Sequence, residues 1–365
     1  MPVEREPGTA VEFGIFFFAA VGDDATRTYR LVLDSARKAD ELGFAFVSTP
    51  ERHFHRFGGA FPNPAVTSTL IAAVTNRIQI RAGSIVTPLH PTVRIVEDFA
   101  MVDCISGGRA AISVGSGWNV NDFVIASGEY DSRRERMVAD IDMICRAWRD
   151  GKWTARNPLG KEVELNLFPR PVSAELPVWI TASRSIDTFR TAGRLGTNVL
   201  THLENQDVSQ LEEKIDVYRE SRREAGWTGA GRVTLMMHTF VAPTTERAQA
   251  VARPWLTSYV RQAIDLEAMA VESGGRMSGG REAGAAISTE KARSRLAELG
   301  VNRYLDSASL IGSVADCTAM ARKAHLAGVD EIACLVDFVD DPDAVLGGID
   351  ELAKVREQCA RESVA

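Results

Sequence analysis

Ile78-Gln79-Ile80-Arg81-Ala82-Gly83-Ser84-Ile85-Val86 alternates in hydropathy and then runs apolar, as a mostly buried strand does. His90-Pro91 follows it, and Thr92 to Ile105 repeats apolar residues at helical spacing through Val93, Val96, Phe99, Ala100 and Val102. Ser106-Gly107-Gly108-Arg109 stops that helix, with glycine supplying the left-handed turn. Ala110 to Val114 reads as a second buried strand, breaking into Gly115-Ser116-Gly117-Trp118-Asn119. This is a βαβ unit, and its second strand ends in small and polar residues. Such units present their chemistry at the carboxyl edge of a parallel sheet.

The same alternation runs along the chain. Strand patterns fall at Val11–Phe18, Phe44–Thr49, Ile78–Val86, Ala110–Val114, Val178–Thr181, Asn198–Leu203, Val233–Val241 and Glu331–Phe338, with helical patterns between them. Eight strands in βα order predict an α/β fold closed as a (β/α)8 TIM barrel, with an open doubly wound sheet as the alternative. One barrel domain over 11–360 is expected, behind a flexible tail at 1–10. A hairpin-like insertion is expected near 152–167, and a glycine-rich mobile insertion at 273–288, which could form a lid after the seventh strand.

Composition narrows the function classes. Hydrophobic residues make up 45% of the 365 and charged residues 25%, as in globular proteins, and the net charge of −7 argues against a nucleic-acid surface. No apolar run spans a bilayer and the polar start fits no secretory signal, so no membrane partner is expected. The five cysteines lack any Cys-x-x-Cys spacing and read as reduced thiols of a cytoplasmic protein.

Five of the six histidines (His53, His55, His90, His202, His238) fall at strand ends. Each alone reads as a satisfied structural histidine; five at one rim support an active site there. Two chemistries compete. His53-Phe54-His55 with His202, His238 and Asp337 could bind zinc for metal-dependent hydrolysis, although a His-x-His beyond the second strand fits amidohydrolase-type barrels poorly. Alternatively, Ser183-Arg184-Ser185 at a strand-to-helix junction offers hydroxyls, a cation and free N–H groups to a phosphate dianion, or merely a helix cap. Gly83, Gly115 and Gly117 would admit a flat ring, and Trp118 and Phe16–Phe18 would wall it.

Together, Thr49-Pro50-Glu51-Arg52-His53-Phe54, Gly83-Ser84-Ile85-Val86, His90-Pro91, Asp103 to Arg109, Gly115 to Asn119 and Ser183–Ser185 resemble the bacterial luciferase-like monooxygenases. The nearest likeness is to the branch associated with nonribosomal peptide and polyketide biosynthesis. The resemblance implies a barrel that uses reduced FMN (FMNH2) and O2 to oxygenate a small substrate, an aminoacyl or acyl group, free or tethered to a carrier protein. It places Gly83 and Ser84 against the flavin ring, through a strained or cis peptide. It assigns the FMN phosphate to Ser183, Arg184 and Ser185, helped by Arg133 or Arg134. Ser116, Trp118, Asn119 and Thr181 would lie on the cofactor side, while Glu51, Arg52 and His53 would face the substrate. His53 is the candidate for proton transfer, because an unperturbed imidazole titrates near ~6.5.

Departures are informative. True luciferases carry two adjacent histidines after the glutamate; here Arg52 precedes His53, and no light emission is expected. Their fourth-strand cysteine and arginine are replaced by Gly115 and Ser116. No Gly-x-Gly-x-x-Gly opens a helix after a strand, so reduced flavin would come from a separate NAD(P)H:flavin reductase. A homodimer follows from the resemblance alone. The alternatives are a deazaflavin-dependent hydride-transfer enzyme of the same family, a non-catalytic flavin-binding or carrier-docking protein, and the zinc hydrolase.

Overall fold

A computed structural model describes residues 10–18, 24–126, 130–204, 206–275 and 289–362. The chain runs β1 (Glu12–Phe16), α1 (Ala25–Glu41), β2 (Phe46–Thr49), α2 (Pro64–Ala72), β3 (Gln79–Val86), α3 (Thr92–Ser106), β4 (Ala110–Gly115) and α4 (Arg133–Asp150). It continues through β5 (Lys152–Arg156), β6 (Glu162–Asn166), β7 (Val178–Thr181), α5 (Ile186–Leu195), β8 (Asn198–His202), α6 (Val208–Glu224), β9 (Val233–Val241) and α7 (Thr245–Glu272). The last elements are α8 (Glu290–Ser307), β10 (Leu310–Gly312), α9 (Val314–Leu326), β11 (Glu331–Leu335) and α10 (Pro342–Glu362).

The strands pair in parallel in the order β9-β11-β1-β2-β3-β4-β7-β8, and β8 returns to β9, closing an eight-stranded barrel. Every strand expected from the sequence is present. Two elements were not anticipated. β10 is three residues long and extends the carboxyl end of β9 by pairing with Thr239–Val241. α8 buries only Ala297, Val301 and Leu305, a thin stripe at four-residue spacing on an otherwise polar helix. The insertion after α4 is an antiparallel hairpin, β5–β6, as anticipated. The expected tail and most of the glycine-rich insertion (1–9 and 276–288) lie outside the described residues.

Local chemistry explains the boundaries. Asp24, Asn63, Asp207 and Thr244 cap α1, α2, α6 and α7 by accepting backbone N–H bonds. Gly107 ends α3 in the left-handed conformation at φ 71°. The floor of the barrel is polar: Arg81 lies between the Phe46 and Trp179 rings, 3.9 and 3.6 Å from their centroids, and its Nη1 donates to Glu331 at 2.9 Å. Among the described residues no helix is long and apolar enough to cross a membrane, and none of the five cysteines is in a disulfide.

Candidate active site

The strands deliver their polar termini to one mouth, and a carboxylate organises it. Glu51, just past β2, is buried, and its Oε2 accepts the Val86 N–H at 2.7 Å. Its Oε1 takes two imidazoles, His53 Nε2 at 2.8 Å and His90 Nε2 at 2.6 Å. Burial pushes the Glu51 carboxyl up, but the His53 and His90 hydrogen bonds outweigh it and hold it below the usual range. For His90, burial disfavours the cation, and the bond to Glu51 reverses this, so its net shift is upward. Since an ionised carboxylate only accepts, both rings donate through Nε2.

On the neighbouring strand β3, the peptide Gly83–Ser84 is cis, as the sequence resemblance implies. The β3–β4 register slips between Gly83 and Ile85, which brings the Ser84 hydroxyl into a short hydrogen bond with Thr181 at the end of β7. Position 83 has no room for a side chain: a Cβ there would sit 2.1 Å from Ser48 Oγ and 2.9 Å from the Phe16 ring. The buried hydroxyls of Ser48 and Ser113 have no partner among the described residues.

Ser183, Arg184 and Ser185 lead into α5, and Ser185 is its N-cap residue without a side-chain cap bond. None of these three side chains is hydrogen-bonded among the described residues; the Ser183 carbonyl accepts Lys214 Nζ at 3.5 Å. The two arginines expected to assist are not joined to this group. Arg133 donates to the carbonyls of Gly117 (2.9 Å) and Tyr130 (2.8 Å), bracing the turn after β4. Arg134 is exposed, and no bond joins either arginine to the α5 N-terminus among the described residues. Asn119 is likewise committed locally: its side chain accepts the Asn121 N–H at 3.1 Å and donates to Asp122 at 2.8 Å. Ser116 is half-buried and unbonded among the described residues, and Trp118 is 43% exposed at the rim.

Arg52 is buried, with its guanidinium carbon 4.7, 5.5 and 5.7 Å from the ring centroids of Phe18, Phe57 and Trp118. Sequence reasoning missed the wall beyond it. Phe57 stands edge-on to Tyr259 of α7 (4.9 Å between centroids), and Tyr259 edge-on to His238 of β9 (4.5 Å). Tyr304 of α8 closes the far side of His238 at 4.5 Å. Burial drives His238 down to about 3, so this imidazole is neutral, and its Nε2 has no partner among the described residues. Asp122 was also missed. Burial raises its carboxyl to about 6, against the pull of Arg52 and His53. Nothing in its local sequence distinguishes it from a surface aspartate.

The side chains first weighed as zinc ligands are engaged separately. His53 faces Glu51, His55 Nδ1 accepts the Phe57 N–H at 3.0 Å, and Asp337 accepts the Phe18 N–H at 3.0 Å. Among the described residues no group of three or more His, Cys, Asp or Glu side chains is placed to hold a metal ion.

The luciferase-like monooxygenase family profile matches residues 11–331 of the chain. A curated relative, the oxygenase component of a flavin-dependent trigonelline monooxygenase from Acinetobacter baylyi, is 27% identical over 64% of this chain and 65% of its own length. The matched part thus spans just under two thirds of that relative. The oxygenating constituent of 3,6-diketocamphane monooxygenase from Pseudomonas putida, solved in complex with FMN, superposes with a TM-score of 0.73 at 17% identity, over 96% of this chain and 98% of that one. An F420-dependent secondary alcohol dehydrogenase superposes with a TM-score of 0.68 at 14% identity, over 95% and 99% of the two chains.

Proposed function

Because the chain belongs to the luciferase-like monooxygenase family, we propose that it is an FMN-dependent monooxygenase of the two-component kind. In this reading it takes reduced FMN from a separate NAD(P)H:flavin reductase and uses O2 to oxygenate a small acyl or aminoacyl substrate, free or carrier-tethered. The observation that carries the cofactor assignment is the donor set at the head of α5. The side chains of Ser183, Arg184 and Ser185 have no hydrogen-bond partner among the described residues and stand at the N-terminus of α5, the donor chemistry a phosphate takes.

In this reading the ring lies near Gly83, where a side chain has no room, with Trp118 at the rim and the bonded Ser84–Thr181 hydroxyl pair beside it. When bound, reduced FMN supplies the electrons that activate dioxygen, so that one oxygen atom is inserted and the other leaves as water. The protein's own part is to position groups and move protons. Glu51 fixes the His53 tautomer through Nε2, leaving Nδ1 as the atom that accepts or returns a proton at the substrate. Glu51 also ties His53 to His90 and to the Val86 amide, so the proton-handling ring is oriented by three separate elements.

The test pairs isotopic dioxygen with FMN and a flavin reductase, and follows label into product by mass spectrometry over a carboxylic and carrier-bound substrate panel. His53→Ala is expected to slow oxygenation while leaving FMN affinity nearly intact; unchanged turnover removes His53 from the mechanism. The second reading, hydride transfer with a deazaflavin, has the fold similarity to the F420-dependent dehydrogenase in its favour. It prevails if deazaflavin copurifies and no oxygen is consumed. In the same proposal the protein is a homodimer. The exposed Val66 and Leu70 of α2 and Met101 and Ile105 of α3 offer apolar surface for the pairing.

A further inference from the structure

Arg52 stands apart from the other buried arginines. Arg81 is neutralised by Glu331, and Arg219 donates to the Gly328 carbonyl at 2.8 Å and to Asp330 at 3.3 Å. Arg303, half-buried, is bonded to the carbonyls of Leu203, Glu204 and Gln206. Arg52, 7% exposed, has neither a carboxylate nor a carbonyl partner among the described residues, and its buried Nε is unbonded. Asp122, whose charge it feels, is held by Asn119 and makes no ion pair with it among the described residues. The rings of Phe18, Phe57 and Trp118 compensate a cation only partly. A buried guanidinium without an anion is costly, and the two sides of its planar fork match a carboxylate in bidentate geometry.

We propose that Arg52 is the binding point for a carboxylate of the substrate, and hence that the substrate is an organic acid with an apolar body. The body lies along the wall Phe57–Tyr259–His238. The stem of Arg52 is held in place from below. A side chain at Gly58 would press on its Cγ at 3.1 Å, so glycine there leaves the arm its room. A dianionic phosphate is the weaker match, since Arg52 supplies a single cation. The inference deepens the monooxygenase reading by naming its substrate class, but the binding it describes does not require the flavin.

The experiment titrates full-length protein by calorimetry, without flavin, with three acids and their amides: benzoate and benzamide, phenylacetate and phenylacetamide, hexanoate and hexanamide. At least one acid is expected to bind wild type about tenfold or more tighter than its amide, the scale of a charge-assisted hydrogen bond. Arg52→Gln should abolish that preference, and Arg52→Lys should retain part of it as a point charge; circular dichroism checks that both variants are folded. A preference that survives in folded Arg52→Gln overturns the proposal, as does a wild type that favours amides or binds no member of the panel. FMN affinity, measured separately by flavin fluorescence, tells the two readings apart. Acid preference with no flavin binding keeps Arg52 and sinks the monooxygenase, and flavin binding with no acid preference does the reverse.

Discussion

Replacing Glu331 with glutamine should cost the barrel about 3 kcal/mol at neutral pH, and the cost should vanish in acid. Glu331 is 1% exposed on the barrel floor. Its carboxylate accepts from Arg81 at 2.9 and 3.4 Å, from Arg232 at 2.8 Å and from the Thr234 hydroxyl. Burial pushes this carboxyl up, but the Arg81 charge and these hydrogen bonds overcome the penalty and hold it at about 2, against an ordinary 4.5. That gap, at ~1.36 kcal/mol per pH unit, comes to about 3 kcal/mol. The sign follows from the depressed value. The stabilisation is complete above about 4.5 and is lost as pH falls towards about 2. Glutamine keeps the shape and loses the charge, leaving Arg81 buried between two rings without its counter-ion. Urea unfolding of wild type and Glu331→Gln at pH 7, 5 and 3 should give a difference that is largest at pH 7 and shrinks steadily below pH 4.5. A difference under about 1 kcal/mol at pH 7, or one that does not change with pH, would refute the account of a floor held by this ion pair.

Two further outcomes concern the mouth. Gly83→Ala would place a methyl 2.1 Å from Ser48 Oγ, so a loss of about 1–3 kcal/mol in stability and a weaker FMN affinity are expected; unchanged melting temperature and flavin titration would show that the strand adapts freely. Asp122 is neutral below about 6 and ionised above it, and Arg52, His53, Glu51 and Asn119 are the groups that face it. Acid binding should therefore weaken as pH rises through about 6, and Asp122→Asn should flatten that dependence; a pH profile the substitution leaves intact would remove Asp122 from the account.

The barrel was legible because its signals are local. Each strand is a short β-branched or apolar run closed by glycine or a polar turn, and each helix carries its own periodicity and cap. Periodicity in one dimension was enough to order them. α8 escaped because three buried residues on a polar helix make too faint a stripe, and β10 because three residues carry no period at all. Within the candidate site, Glu51, Arg52, His53, Gly83 and Ser84 lie near one another because they stand in one motif or at one strand end. The bonds of the helix arginines could not be read in the same way. Arg133 is near the mouth in sequence order, but its guanidinium is consumed by carbonyls that only the folded turn brings to it.

The amino-acid sequence by itself determined the eight-stranded parallel barrel, the edge at which its chemistry gathers and most of the residue types that gather there, since hydropathy period, caps and strand-terminal residues are properties of neighbours along the chain. Tertiary structure alone decided which of those residues act on one another. Glu51 binds two histidines, one of them 39 positions away, and Arg52 is surrounded by rings from three separate segments with no counter-ion among the described residues. A side chain's charge state and its unmet hydrogen bonds depend on burial and on what the closed barrel sets beside it, and distance along the sequence carries neither.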